Sequence, residues 1–368
     1  MLSPGPQLLR GELILLIWLL CALLLPLLAA CAPAKLPPVM KIGLVAPFEG
    51  RYRYIGYDAI YAARLAVREI NVQGGVNGRY LELVAYDDRG SPELARIAAR
   101  NLAVDPAVVA VIGHYRQEST AAVQELYVAA QLPLLAVGAY LTRTSPYLWS
   151  LMPDPAEMAT ELVAASPANT HLAALWGAGP LADALRESLN AANYRLVPAI
   201  SPQQAPPPPE TLFSLLPPQE TGARWANWRA AGGTGCLIGG LELAGTAFAE
   251  IAAPQRGEEV YFITPYPLPE DLPGTEEWVA AYRAVGPHVP PPGPYALPTY
   301  EALYLLAAAL TAGPENFVAT LSHVTRNGFL GEIAQNARGC WATPTLYHYR
   351  WLPTKKRELL VAGLSAPQ

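Results

Sequence analysis

From Met40 onward, short apolar runs alternate with longer stretches whose apolar residues recur at helical spacing. MKIGLVAPF, YLELVAY, AVVAVIG and LPLLAVG are the short runs. Between the first two, residues 57–72 carry Ala59, Ala62, Ala63, Ala66 and Ile70 one helical face apart. A strand covered on both faces reads as a continuous apolar run, and its parallel neighbour needs a crossover, usually a helix. The order strand–helix–strand–helix–strand–helix–strand therefore predicts an α/β fold with a parallel sheet and helices on both faces. The pattern then restarts. HLAALWG, YRLVPAI, TLFSLL, GCLIGG and EVYFITP are strands, and PLADALRESLNAAN, ETGARWANWRAAG and AGTAFAEIAA are helices. Two doubly wound units in tandem follow. At 368 residues and 52% hydrophobic, the chain can bury a core in each. YALPTYEALYLLAAALTAG is a late apolar helix, and NGFLGEIAQN and TPTLYHYRWL read as two final strands.

Local signals support these elements. Ser91 stands where a helix N-cap belongs and Pro92 at the first helical position. Gly74-Gly75 and Asn77-Gly78 supply residues tolerant of positive φ for a helix end and a tight turn.

The N-terminus is a separate object. Arg10 precedes an apolar run, Leu13 to Leu28, broken by Pro26 and ending in small residues. That is the layout of a secretory signal, and the run is short for a span of about 20 apolar residues. The ending Leu28-Ala29-Ala30-Cys31 resembles the bacterial lipobox, which implies lipidation of Cys31 and an extracytoplasmic, membrane-anchored chain. Residues 1–30 are then a lipoprotein signal peptide and 31–40 a tether. Formal net charge is −5 and the only basic run is Lys355-Lys356-Arg357, which argues against a nucleic-acid surface. The cysteines show no metal-site spacing, and no triad or dinucleotide fingerprint is recognisable. No metal, cofactor or enzymatic activity is expected.

The segment REINVQGGVNGRYLELVAYDDRGSPELA resembles class I extracytoplasmic solute-binding proteins, the branch that includes leucine/isoleucine/valine-binding proteins of ABC importers. The residues that carry the resemblance are Glu69, Ile70, Asn71, Gly74, Gly75, Val76, Asn77 and Gly78, then Tyr86, Asp87 and Asp88. It continues through AVVAVIGH, YVAAQLPLLAVGA and GEEVYFITPYP. The resemblance implies two lobes joined by a hinge, the second inserted into the first. Lobe one is then 41–153 plus 287–352, lobe two 154–286, and 353–368 a C-terminal tail. Cys236 and Cys340 fall in different lobes, which argues against a disulfide across a hinge. The implied partners are a small solute (an amino acid or related polar compound) and a membrane permease. The alternative is a lipoprotein sensor or partner-binding module on the same fold.

Ligands of open α/β sheets bind beyond the carboxyl ends of the strands. The loop HYRQEST follows the third strand and opens a helix, whose N-terminal N–H groups favour anions. In the resembled family this loop offers a hydroxyl to a ligand carboxylate, and that position falls on Gln117, with Ser119 and Thr120 beside it. The next loop, Gly138-Ala139-Tyr140, would supply a carbonyl and a second hydroxyl. The family's aromatic after the first strand falls near Tyr54 or Ile55, its aromatic in the first loop of lobe two is replaced by Trp176, and Glu242 stands one position from the acidic partner of a ligand ammonium. Gln117 and Tyr140 are both larger than the small hydroxyl residues expected. They point to a planar amide or aromatic ligand rather than an aliphatic α-amino acid. His114 is read as a packed loop residue, and Arg116 and Glu118 as a pair on the rim.

Overall fold

The computed structural model describes residues 38–167, 170–197, 210–230, 232–252, 259–354 and 356–362, together with Leu15 and Trp18. The chain divides into two compact units, residues 1–38 and 39–368. In the first, Leu15 and Trp18 are helical and exposed. Cys31, the signal-peptide cleavage point and the proline-rich stretch 198–209 lie outside the described residues. No helix among the described residues is long and apolar enough to cross a membrane.

The second unit starts with β1 (Val39–Ala46), two residues inside the expected tether. It is followed by α1 (Arg53–Val72), β2 (Tyr80–Asp87), α2 (Pro92–Ala103), β3 (Val108–Gly113), α3 (Gln117–Ala129), β4 (Leu134–Ala136) and β5 (Leu148–Ser150). The five strands form one parallel sheet in the order β2-β1-β3-β4-β5. Ser91 caps α2 by accepting from Leu94 N–H, and Gly74, Gly75, Asn77 and Gly78 all have positive φ. Asn77 uses its amide to bond the Leu310 carbonyl, which ties this turn to a distant helix.

Lobe two runs through α4 (Pro155–Ala164), β6 (Leu172–Trp176), α5 (Pro180–Ala191), β7 (Arg195–Leu196), β8 (Thr211–Ser214), α6 (Pro218–Ala230), β9 (Cys236–Gly239), α7 (Thr246–Ala252) and β10 (Val260–Thr264). The chain then returns to lobe one as α8 (Glu276–Arg283) and α9 (Ala296–Ala312), followed by α10 (Phe317–Leu321) and the hairpin β11 (Arg326–Gly328) and β12 (Gly331–Ile333). Helix α9 packs on α1. The buried α1 face is Ala59, Ala62, Ala63 and Ala66, and such small side chains let two helices approach closely.

One expectation is corrected. The boundaries implied by the resemblance put residues 347–351 in lobe one and 353–368 in a tail. Instead β13 (Tyr347–Trp351) pairs antiparallel with β10, and β14 (Arg357–Ala362) pairs with β13. The second sheet thus has the order β14-β13-β10-β9-β8-β6-β7. The cause lies in a period of two: Tyr347, Tyr349 and Trp351 are buried, while His348 and Arg350 are half-buried. The inward aromatics complete the second core, where Tyr349 stacks on Phe262 with centroids 4.8 Å apart. Cys236 and Cys340 are separate buried thiols.

Candidate functional site

Strand order locates the cleft. In the first sheet the chain moves from β1 outward to β2, then back to β3 on β1's other side, so the crevice opens after β1 and β3. In the second sheet the same reversal lies between β6 and β8. The two crevices face each other. A Cβ built on Gly179, which follows β6, would stand 3.3 Å from the Gln117 side chain, which follows β3.

The loop after β3 is built tightly. Gly113 has φ 133°, and a Cβ there would meet the Val45 carbonyl at 2.1 Å, so only glycine fits. The His114 ring is fully buried, with Nδ1 3.1 Å from Asp88 Oδ2 and Nε2 2.9 Å from Tyr127 Oη. It is packing, as its sequence context suggests, and it gives Asp88 a structural partner. Tyr115 Oη lies 2.8 Å from Thr299 Oγ1. Thr120 is buried and donates its hydroxyl to the His114 carbonyl. Ser119 is also buried, and its hydroxyl has no partner among the described residues.

Gln117 spends its amide inside lobe one. Its Nε2 donates to the Tyr140 carbonyl at 3.0 Å, and its Oε1 accepts from Tyr140 N–H at 2.9 Å. The neighbouring groups are spent too. Gly138 N–H donates to Tyr266 Oη at 3.2 Å, and Tyr266 donates onward to the Leu151 carbonyl at 3.0 Å. The Ala139 carbonyl accepts from Ser150 Oγ at 2.7 Å. The loop expected to face a ligand therefore has its main-chain groups answered by the protein's own side chains. Tyr266 was missed by sequence reasoning, although its place just after β10 marked it as a cleft residue.

Arg116 reaches across the cleft. Its guanidinium lies 3.3 Å from Glu242 Oε1 of lobe two and 3.1 Å from Glu118 Oε2, and it stacks over the Tyr52 ring at 4.2 Å. The expected rim pair with Glu118 is present, but the side chain is only 6% exposed and its second carboxylate comes from the other lobe. Burial raises the Glu242 carboxyl above its ordinary range, and the Arg116 charge pulls it part of the way back. Cation stacking on an aromatic face helps to offset the cost of burying the guanidinium.

Tyr54 Oη, Arg116 Nε, Glu242 Oε2, Tyr140 Oη and Trp176 Nε1 have no hydrogen-bond partner among the described residues. Tyr54 sits in the first turn of α1, 6.5 Å from the Tyr295 ring. Trp176, at the end of β6, is 3% exposed, with Arg224 5.8 Å from its ring. Tyr140 is 7% exposed and packs inside lobe one. Tyr54, Arg116, Glu242 and Tyr295 form one electrostatic group, while Tyr140 belongs to another with Tyr266, Cys340 and Asp154. The structure thus brings Tyr54 and Glu242 together and keeps Tyr140 apart from them. An unpaired buried polar atom costs stability unless a water or another group answers it.

A family model described as periplasmic binding protein matches residues 39–192 and 207–355. Among solved structures, the branched-chain amino acid transporter substrate-binding protein LivJ from Streptococcus pneumoniae, in complex with isoleucine, superposes with a TM-score of 0.72. The match is 21% identical and covers 88% of this chain and 100% of that one. A solute-binding protein from R. palustris in complex with benzoate gives a TM-score of 0.70 at 17% identity, over 88% and 96% of the two chains. The leucine-, isoleucine-, valine-, threonine- and alanine-binding protein of Pseudomonas aeruginosa is 38% identical over 88 residues. That stretch is 24% of this chain and 23% of the relative's own length. With two facing α/β lobes and a family match that runs through both, the chain belongs to the periplasmic binding protein family.

Proposed function

We propose that the protein is the extracytoplasmic solute-binding component of an ABC importer, holding an amino-acid- or amide-type solute between its lobes. What carries this reading is the cluster of unpartnered buried polar atoms where the two crevices meet, Tyr54 Oη, Arg116 Nε and Glu242 Oε2 among them. The ligand shell expected from the sequence is Tyr54, Gln117, Ser119, Thr120, Gly138, Ala139, Tyr140, Trp176 and Glu242. Within it, Tyr54, Ser119, Tyr140, Trp176 and Glu242 each keep a polar atom without a partner among the described residues. The chain passes from lobe one to lobe two, back to lobe one, and again to lobe two at β13, so closure is a hinge motion about those crossings. The test is a thermal-shift screen with amino acids, amides, short peptides and aromatic acids, followed by small-angle scattering on each hit. A true ligand raises the melting temperature and shrinks the radius of gyration. A bound solute that leaves the radius unchanged sinks the clamp.

The anchor is part of the same proposal. A lipid on Cys31 holds the protein at the outer face of the cell membrane beside a permease, and two or more acyl chains make that stable at about 0.8 kcal/mol per buried methylene. Cys31→Ser then releases the protein or leaves an uncleaved precursor. A cleaved mutant that still partitions with membranes removes the lipid from the account. A sensor or partner-binding role on the same fold gains from one observation, the internal pairing of the Gly138–Tyr140 loop. Co-purification with a permease in mild detergent separates the two.

A further inference from the structure

Two spaces lie between the lobes, and their charges are arranged differently. The outer cavity, of about 790 Å3, is lined by residues at the entry to α1, by the run Pro290 to Pro294, and by α6 and α7 of lobe two. Gln219 joins its two walls by donating to the Arg51 carbonyl at 3.1 Å. Three arginines there, Arg51, Arg53 and Arg357, stand against three acids, Asp58, Glu250 and Glu270, so the cavity favours neither sign. The inner cleft is different. It holds one acid of lobe two, Glu242, and Arg116 of lobe one is the cation that acts on it.

Arg116 has a seat made for it. It takes the N-cap position of α3 in extended backbone, and its guanidinium lies 4.2 Å from the centroid of the buried Tyr52 ring. Gly90, at φ 71°, leaves the room. A Cβ there would stand 2.7 Å from the Tyr52 ring and 3.3 Å from Arg116 Cγ. Glu242 enters from the other lobe on the turn Leu241–Ala244 after β9, whose other three residues are buried.

The pair is made incompletely. A guanidinium and a carboxylate can share two parallel hydrogen bonds of about 2.7–2.9 Å. Here there is one contact, Nη1 to Oε1 at 3.3 Å. Nη2 is turned to Glu118 at 3.1 Å, and Arg116 Nε and Glu242 Oε2 have no partner among the described residues. One long contact neutralises the carboxylate without locking it. A solute that brings its own cation to Glu242 must displace Arg116, and so strands a guanidinium that is only 6% exposed. A solute without a cation leaves the pair in place.

We propose that Arg116 is a built-in competitor for Glu242: it bridges the lobes where a solute's own cation would sit, and so selects against solutes that carry one. The inference rests on the solute-binding reading above and names a residue that sets its specificity within the crevice at the strand ends.

Calorimetric titration with matched probes tests it: leucine against 4-methylpentanoate, and phenylalanine against 3-phenylpropionate. The members of each pair differ in the ammonium group alone. In the wild type each amino acid is expected to bind at least tenfold more weakly than its counterpart. In Arg116→Gln the amino acids gain tenfold or more and the counterparts gain nothing, and adding Glu242→Gln removes the gain. Arg143→Gln, whose partner is the exposed Glu125, controls for net charge and shifts neither. Circular dichroism and melting identify the folded variants. Should Arg116→Gln fail to fold, Arg116→Lys keeps the charge on a shorter reach and raises amino-acid affinity several-fold. The inference is overturned if no amino acid gains affinity in the folded variant, or if the gain survives Glu242→Gln, because the carboxylate is then not what Arg116 withholds. Amino acids that bind the wild type as tightly as their counterparts overturn it too. In each of these cases a solute that binds the wild type and shrinks the radius of gyration leaves the solute-binding reading standing. If no solute of the wider screen binds any variant, that reading falls as well.

Discussion

The inner cleft and the outer cavity are adjacent, share Tyr54, and are made in opposite ways. In the inner cleft Gln117 pairs with Tyr140, Tyr266 with Gly138 and Leu151, and Arg116 with Glu242, while Arg116 Nε and Glu242 Oε2 keep one position each without a partner among the described residues. In the outer cavity Arg51, Arg53 and Glu250 face the space without ion-pair partners among the described residues. Groups that pair internally contribute to folding, and their removal strands a partner in a dry interior. Groups that face an open cavity contribute almost nothing to folding. The contrast separates residues that hold the lobes from residues that do not, and stability measurements can break it.

The largest effect belongs to Asp58, a buried acid in the wall of the outer cavity. Burial pushes its carboxyl from 3.8 up to about 7, against the pull of the Gly293 and Tyr295 N–H groups. Because the folded state holds this proton more tightly than the unfolded chain, its contribution is greatest below about pH 4. It declines as pH rises through about 7 and is flat above. The full swing is at most on the order of 4 kcal/mol. Denaturant unfolding of wild type and Asp58→Asn at several pH values isolates it: the wild type loses stability relative to the variant between about pH 4 and 7. A constant difference would mean that Asp58 is not held in a dry site.

Next comes Arg116→Ala, expected to cost about 3 kcal/mol because it leaves Glu242 without its counter-charge between the lobes. Replacing both members by apolar residues should cost much less, since no charge is then stranded. A single-variant cost below about 1 kcal/mol would place Glu242 in water and dissolve the inner cleft as a closed layer. Tyr266→Phe is smaller, about 1–2 kcal/mol, from an unanswered Gly138 N–H and Leu151 carbonyl.

Most of the scaffold was legible in the sequence for a physical reason. Buried parallel strands must be apolar throughout, and turns at Gly74, Gly75 and Gly78 need positive φ, so both leave marks on local composition. The strand that went to the other lobe, β13, looks locally like any alternating strand. Its sheet is chosen by the aromatic partners it meets, Phe262 above all, which lie far away in sequence. The crevice at the strand ends was legible in position, and the pairing of its side chains was not. Strand ends marked Gln117, Tyr140 and Glu242, but nothing near Gln117 in the chain says that its amide closes on Tyr140, or that Arg116 crosses to Glu242. Tyr266 shows the same gap: its hydroxyl serves Gly138 and Leu151, 128 and 115 residues away. The outer cavity draws on three helices and a proline run, and no single segment announces it.

The smallest effect is the most discriminating. Arg53→Ala should leave folding stability within about 0.5 kcal/mol of wild type, and Arg51→Ala close to that. Both side chains are exposed and carry no ion pair among the described residues, so their loss strands nothing. Arg51 adds only a stack on an aromatic ring at the surface, at 4.7 Å, and such contacts are worth about 0.5–1 kcal/mol where water reaches them. The Arg51 carbonyl that Gln219 uses is main chain and survives either substitution. A loss above about 1.5 kcal/mol in Arg53→Ala, read by urea unfolding at unchanged m-value, would make that arginine a structural member of the wall. The outer cavity would then serve folding as fully as the inner cleft does, and the distinction between the two regions would fail at its simplest point.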